Sequence, residues 1–152
     1  SDVYKRQIGI GTDGAASNNR LDMFAEMRLA ALLAKGVSGD ATAIPAEQAL
    51  RMATINAAKG LGMEACIGSI EAGKFADMVA VKLSDIECSP CFDPLSHVVY
   101  VAGREHVTHT WVAGILQYQK LDQQSGVYAN IEPIELKEIA TKWNSKMRQH
   151  KA

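Results

Sequence analysis

The sequence has little that would direct a protein to nucleic acid. Phe, Trp and Tyr make up 6% of the 152 residues, and 16 basic residues face 17 acidic ones for a formal net charge of −1. The basic residues form no stripe along the chain. A nucleic-acid site requires a concentrated positive footprint, so the composition predicts no nucleic-acid partner.

Long apolar runs are also missing. No stretch reaches the roughly 18 consecutive apolar residues that a membrane-spanning helix requires, and no signal-peptide pattern opens the sequence. We therefore expect no membrane association and a cytoplasmic protein. Apolar residues still make up 47% of the chain, which is typical of a globular protein with a sizeable core.

The first seven residues, Ser1 to Gln7, differ in pattern from the rest of the chain. They are polar and begin without methionine, and the string matches a translated adaptor end of the kind used in sequencing libraries. We expect residues 1–7 to be a non-native leader that takes no part in the fold. A genuine N-terminal arm is the alternative.

Cysteine is scarce, with three residues in the chain. Cys88-Ser89-Pro90-Cys91 can in principle bind zinc or cycle as a dithiol. A structural zinc needs two further ligands, and Cys66 and His97 are the nearby supply, without matching spacing. An ordinary reduced loop is the favoured interpretation, and a metal site and a redox role stay open.

The segment from Ile8 to Met23 contains the main candidate for chemistry. It begins with Ile-Gly-Ile-Gly, a short apolar run stopped by glycine, which is typical of the end of a buried strand. Asp13 comes next, where polar groups can gather. Gly14 and the small residues after it let backbone approach a ligand or metal closely, and Asn18 or its neighbour can cap a helix beginning at about Arg20. A plain capping aspartate explains the spacing equally well.

Periodicity and turn residues predict a mixed α/β protein. The predicted helices cover 20–35 with a stop at Gly36, a segment opened by Pro45, 55–61 capped by Thr54, and 133–150 with an apolar side. The predicted strands are a short one near 67, then 77–83, 97–102, 107–112 and 115–119, the last two joined by Ala113-Gly114, with a loop over 84–96.

Other polar residues have ordinary interpretations. Asp22 and Glu26 lie four apart on one face of the first predicted helix and could approach the Asp13 loop. The helix dipole also favours acids in a first turn, so solvated helix acids are the favoured interpretation. His106 and His109 lie three apart in a predicted strand segment, so they point to opposite faces. They are poor joint ligands and are predicted to be solvated or half-buried, as are His97 and His150.

Three motifs resemble segments of the amidohydrolase superfamily. Gly-Thr-Asp-Gly-Ala-Ala-Ser-Asn-Asn followed by Leu-Asp-Met resembles the 5-methylthioadenosine/S-adenosylhomocysteine deaminases and their triazine-hydrolase-like relatives. Thr-x-Asn-Ala-Ala-x-x-Leu-Gly with Gly-Ser-Ile-x-x-Gly-Lys-x-Ala-Asp-Met-Val is similar to the passage from barrel to small β domain. Trp-Val-Ala-Gly-Ile-Leu-Gln-Tyr resembles the closing hairpin of that domain.

The resemblance implies a fold and an organisation. It implies a C-terminal fragment of a (β/α)8 barrel, with the last strand and following helices at 8–63. Residues 64–120 would form the C-terminal part of a small β-sandwich domain, and 121–152 a C-terminal helical tail. Sheet edges and apolar faces of such a fragment should remain uncovered.

The resemblance also implies a function. The parent would hydrolytically deaminate the adenine ring of methylthioadenosine or S-adenosylhomocysteine, and Asp13 would ligate Zn²⁺, take a proton from the attacking water and contact the substrate. Asn18 would reach the substrate from the barrel rim. The family's His-x-His pair is absent from the sequence, so the chain alone is expected to be inactive. The full-length parent is a candidate homo-oligomer.

Two alternatives stay open. Another amidohydrolase acting on guanine, a triazine or a related amino-heterocycle fits the same aspartate, because one strand cannot define a pocket. A non-catalytic, β-rich assembly domain is the alternative from a different class.

Overall fold

The computed structural model describes residues 8–122 and 125–149, so the predicted leader at 1–7 and the prediction for His150 lie outside the described residues. Its helices are α1 (Met23–Ser38), α2 (Ala46–Ala53), α3 (Ile55–Gly60), α4 (Pro94–Tyr100) and α5 (Pro133–Gln149), and its strands are β1 (Met78–Val81), β2 (Val107–Val112), β3 (Ile115–Lys120) and β4 (Gly126–Tyr128). Short 3-10 turns cover Ile86–Cys88 and Arg104–His106.

The core lies where α1, α2 and α4 pack together. Ala31, Ala49 and Val99 are fully buried there, and the small alanines allow the helices to approach closely. Partly buried neighbours, Leu50 and Tyr100 among them, pack around this centre. Removing apolar surface from water at about 25 cal/mol per Å² stabilises the arrangement.

Helix α1 begins three residues later than predicted. Asp22 is its N-cap and accepts hydrogen bonds from the backbone N–H groups of Phe24 and Ala25 at 3.1 and 3.3 Å. The prediction of Asp22 as a solvated helix acid is therefore wrong, because the residue is 4% exposed. The helix ends at Ser38, with Gly39 in the left-handed conformation, rather than at Gly36.

The predicted strand at 97–102 is wrong, because helix α4 occupies most of that segment. Asp93 accepts a hydrogen bond from the Leu95 N–H at 3.1 Å, and Pro94 occupies the first helical turn, where its missing N–H costs nothing. The guanidinium of Arg28, on α1, donates to the carbonyls of Val99 and Ala102 at 3.3 and 2.6 Å. This satisfies acceptors that a helix end leaves open.

The four strands form one antiparallel sheet in the order β1-β2-β3-β4. The predicted β2–β3 hairpin is confirmed, and Ala113 and Gly114 both have positive φ, as a tight two-residue turn requires. Asp77 accepts a hydrogen bond from the Ala113 N–H at 2.7 Å and so fixes this turn. Strand β4 was not predicted, and it lies in the segment expected to be a helical tail.

Two further strand predictions differ from the structure. β1 covers 78–81 rather than 77–83, and no strand is assigned near Ile67. Gly68 there lies against α3 with φ of 90°, and a Cβ at this position would approach the Ile55 Cα to 2.9 Å. The segment is therefore packed on a helix and not paired in a sheet.

Helices α2 and α3 agree closely with the prediction. Pro45 sits at the N-cap of α2, just before its first helical residue, and α3 covers 55–60. Thr54 makes no side-chain cap to α3; its hydroxyl donates instead to the Leu50 carbonyl at 2.7 Å. The predicted cap is therefore wrong.

The predicted strand before Asp13 is not assigned as a strand. Ile10 N–H donates to the Met52 carbonyl at 2.9 Å, and a Cβ on Gly9 would approach the Ala57 Cα to 3.0 Å. The segment thus runs along α2 and α3, with no sheet neighbour among the described residues. The mixed α/β class is confirmed, and the barrel and sandwich assignments stay predictions.

Helix α5 carries its predicted apolar side without burying it. Every residue from Pro133 to Gln149 is exposed, including Ile139 and Trp143. Within 8–122 and 125–149, none of the helices has the length and apolar character needed to cross a bilayer.

Candidate functional site

The Asp13 carboxylate is exposed, and two neighbours hold it. The Gly14 N–H donates to Oδ1 at 2.7 Å, and the Ser17 hydroxyl donates to Oδ2 at 2.6 Å. Asp13 itself has φ of 57°, a left-handed conformation that is uncommon for a residue other than glycine. The carboxylate is thus presented to solvent in a defined orientation.

These contacts keep the carboxylate ionised. The Ser17 hydroxyl, followed by the Gly14 N–H, holds the pKa of Asp13 below its usual value of 3.8. Hydrogen bonds to the charged form favour that form. At neutral pH Asp13 is therefore an anionic oxygen donor able to bind a cation or accept a proton.

Asn18 connects the Asp13 turn to α1. Its Oδ1 accepts from the backbone N–H groups of Arg20 and Leu21 at 3.1 and 3.4 Å, and its Nδ2 donates to Glu26 Oε1 at 2.7 Å. Glu26 is half-buried by this contact and is not the fully solvated acid predicted. One amide hydrogen of Asn18 remains for another partner.

The described histidines do not gather at Asp13. His97 contacts the Asp93 carbonyl through Nδ1 at 3.1 Å, and the half-buried His109 stacks on Trp111 with ring centroids 5.3 Å apart. His106 is buried, contrary to the prediction, because its Nδ1 accepts the Gly103 N–H at 3.0 Å inside the turn before β2.

The cysteines are all free thiols. Cys88 is buried, which raises the pKa of its thiol, with the charges of Glu87 and Asp85 adding to the effect. Cys66 and Cys91 are exposed. A raised pKa lowers thiolate reactivity, so these contacts favour the ordinary reduced loop over a dithiol centre.

No group of three or more His, Cys, Asp or Glu side chains with the arrangement of a metal site occurs in the part of the chain that the structure describes. Asp13 nevertheless fits one position of such a site. Each of its oxygens accepts one hydrogen bond and retains a lone pair, and carboxylate oxygen is an ordinary zinc ligand.

A cavity of about 290 Å³ lies away from Asp13, at one end of the small sheet. Its lining includes Lys82, Asp85, His106 and Thr108, and no residue of the Asp13 turn. This hollow at the sheet is therefore separate from the candidate chemistry, which lies on an open turn.

The sequence identifies Asp13 but does not specify the contacts that hold its turn, from Ser17 to Asp13 and from Asn18 to Glu26. The contacts of Ser17 and Glu26 come from the way the turn folds back on itself and on α1. The serine lies four residues after the aspartate, a spacing that a turn can close, but such a spacing is common in loops. The sequence left open that Glu26 approaches the loop, and its contact with Asn18 agrees with that alternative.

Comparison with known proteins supplies the family. A sequence model of the amidohydrolase family matches residues 2–116, and the chain belongs to that family. The 5-methylthioadenosine/S-adenosylhomocysteine deaminase of Teredinibacter turnerae is 51% identical over 107 residues, which cover 70% of this chain and 24% of that protein. The 5'-deoxyadenosine deaminase of Methanosarcina mazei is 48% identical over 122 residues, covering 77% and 28%.

A solved structure agrees with these relatives. The crystal structure of an adenosine deaminase from Xanthomonas campestris with bound zinc superposes with a TM-score of 0.85 at 45% identity, covering 94% of this chain and 31% of that one. The predicted resemblance is confirmed. The chain spans about a quarter of the length of the curated relatives it matches.

Proposed function

We propose that this chain is the C-terminal part of a zinc-dependent hydrolytic deaminase that acts on the adenine ring of 5-methylthioadenosine or S-adenosylhomocysteine. The single observation that carries the proposal is the exposed, ionised Asp13 carboxylate, held by Gly14 and Ser17 in a chain of the amidohydrolase family. Relatives named for methylthioadenosine, S-adenosylhomocysteine and 5'-deoxyadenosine support an adenine ring with a variable 5' substituent.

Asp13 is the proposed metal ligand and proton acceptor, and it also contacts the substrate. A bound zinc ion supplies Lewis acidity, which brings the pKa of water towards neutrality. Asp13 then takes a proton from the water that attacks the carbon bearing the amino group. Asp13 passes this proton on to the departing amino nitrogen, the carbon–nitrogen bond breaks, ammonia leaves, and the ring carbon keeps the oxygen of water.

Asn18 has a proposed role at the edge of the site. Three of its hydrogen-bonding positions hold the turn to the backbone and to Glu26. The remaining amide hydrogen can donate to an acceptor on the substrate. The other metal ligands are proposed to lie in the parent protein outside this chain, so the 152-residue chain by itself is proposed to be inactive.

The test is the full-length coding sequence that contains this chain. The whole protein should release ammonia from methylthioadenosine, S-adenosylhomocysteine or 5'-deoxyadenosine, lose this activity to a chelator and regain it with Zn²⁺. The 152-residue chain is the matched control and should release none. If ammonia is released only from guanine or a triazine, the protein is instead an amidohydrolase that acts on that heterocycle. If no compound of the panel releases ammonia, the proposal of a deaminase is rejected.

We also propose that the full-length protein is cytoplasmic and that it assembles into a homo-oligomer. The assembly can be measured by light scattering on the same preparation. A complete upstream reading frame without a His-x-His pair would instead favour the non-catalytic assembly domain.

A further inference from the structure

The two oxygens of Asp13 are held by different kinds of donor. Oδ1 accepts from the Gly14 backbone N–H at 2.7 Å, a contact that substitution of Ser17 does not remove directly. Oδ2 accepts from the Ser17 hydroxyl at 2.6 Å. Hydrogen bonds from a hydroxyl to a carboxylate at this distance are charge-assisted and strong, so the side chain of residue 17 controls one half of the carboxylate.

The backbone of the turn places this hydroxyl. Ser17 N–H and Asn18 N–H both donate to the Gly14 carbonyl, at 3.0 and 2.9 Å. Asn18 is then tied to Glu26 on α1, and the buried Asp22 caps that helix. The Ser17 side chain is therefore carried by a turn that is anchored to the helical core.

The hydroxyl has one proton and two acceptors within reach. The Gly14 carbonyl lies 3.1 Å from Ser17 Oγ, against 2.6 Å for Asp13 Oδ2. The shorter contact is to the charged acceptor, which favours donation to Asp13. Loss of the hydroxyl would leave Oδ2 without this partner, and the carboxylate would then be held by the Gly14 N–H alone.

We propose that Ser17 is a positioning residue for Asp13: its hydroxyl fixes the carboxylate plane so that one oxygen faces the metal and the attacking water. This inference rests on the proposed function. Ser17 touches neither metal nor substrate in this assignment and acts through Asp13. Partners of metal-binding groups commonly contribute tenfold to a hundredfold in metal affinity or activity.

The experiment uses the full-length enzyme with Ser17→Ala, Ser17→Thr and the matched control Ser96→Ala. Ser96 donates to Asp93 Oδ2 at the same 2.6 Å, in a different part of the chain. Co²⁺ binding is measured by absorption spectroscopy, and kcat and KM are measured for methylthioadenosine.

Ser17→Ala should weaken Co²⁺ binding and lower kcat by roughly tenfold to a hundredfold, with little change in KM. Ser17→Thr, which keeps a hydroxyl, should restore most of both, and Ser96→Ala should change neither. The inference is overturned if Ser17→Ala binds Co²⁺ like the wild type, if Ser17→Thr fails to restore binding, or if Ser96→Ala causes an equal loss.

The outcome can be separated from that of the proposed function. A wild-type enzyme that releases no ammonia from the substrate panel rejects the function, while the Co²⁺ measurement still tests Ser17. An active wild type with an unaffected Ser17→Ala rejects the positioning role and leaves the function standing. Circular dichroism of each variant confirms that the fold is unchanged.

Discussion

Asp13 and Asp93 each accept a hydrogen bond from a serine hydroxyl at 2.6 Å, and each also accepts a backbone N–H nearby. Both carboxyl groups have a pKa below the usual value, and the serine contact is the largest cause for each. Local electrostatics therefore do not distinguish the two aspartates.

Backbone conformation and position in the fold do distinguish Asp13 from Asp93. Asp93 is extended, with φ of −135°, and its carboxylate caps α4. Asp13 has φ of 57°, and the residues that follow it form a turn and not a helix. A positive φ alone is not a functional mark, since Ala113 has one in a hairpin; at Asp13 it is combined with a charged, exposed group. Backbone strain at such a group is the feature that points to function.

The largest expected effect separates the two aspartates by activity. In the full-length protein, Asp13→Asn should lower kcat/KM by at least about 10²-fold, because it removes the proposed proton acceptor and metal ligand. Asparagine tolerates the left-handed backbone, so the fold should survive. Asp93→Asn is the matched control and should keep nearly full activity. Equal losses of ammonia release in the two variants would remove the distinction.

The sequence predicted the position of Asp13, the first three helices, the β2–β3 hairpin and α5 through strong local signals. The prediction was wrong at α4, because the apolar residues of 97–102 are compatible with a strand as well as with a helix. The helix forms because Asp93 caps it and Pro94 lies in its first turn. Strand β4 is three residues long and depends on pairing with β3, which local pattern does not encode.

The site was only partly predictable for the same reason. Asp13 is recognisable within its motif, whereas the contacts of Ser17 and Glu26 depend on how the turn folds against α1. The missing strand before Asp13 has a related cause, since a strand is stabilised by neighbours and none of the described residues pairs with 8–14.

The second expected effect is smaller and concerns stability. Here substitution of Asp93, and not of Asp13, should have the larger effect. Asp93→Ala removes the N-cap of α4 and should lower the Tm of the 152-residue chain by about 2–4 °C. Hydrogen exchange at the Leu95 amide should accelerate with it, because that N–H loses its acceptor. Asp13→Asn should leave both measurements nearly unchanged, as no helix begins at its carboxylate. A comparable fall in Tm for both variants would contradict the assignment of Asp93 as the structural member of the pair.

The smallest effect is a pH dependence at Asp93. Its pKa lies below 3.8 in the folded chain, chiefly because of Ser96. The unfolded chain then binds protons first as pH falls, so this stabilisation is complete above the unfolded pKa and is lost as pH falls through the folded pKa. Ser96→Ala moves the folded pKa back towards 3.8, and its Tm should lie below that of the wild type at neutral pH.

The Tm gap between wild type and Ser96→Ala should therefore close as pH falls from about 5 to 2, measured by thermal unfolding in buffers of constant ionic strength. The same substitution in an Asp93→Asn background serves as the control, because an amide does not titrate and its gap should stay constant. A gap that closes equally in both backgrounds would show that the serine acts through something other than the carboxylate. By the same linkage, the Tm gap between the wild type and Ser17→Ala should have the same sign and close over the same pH range, since Ser17 lowers the pKa of Asp13.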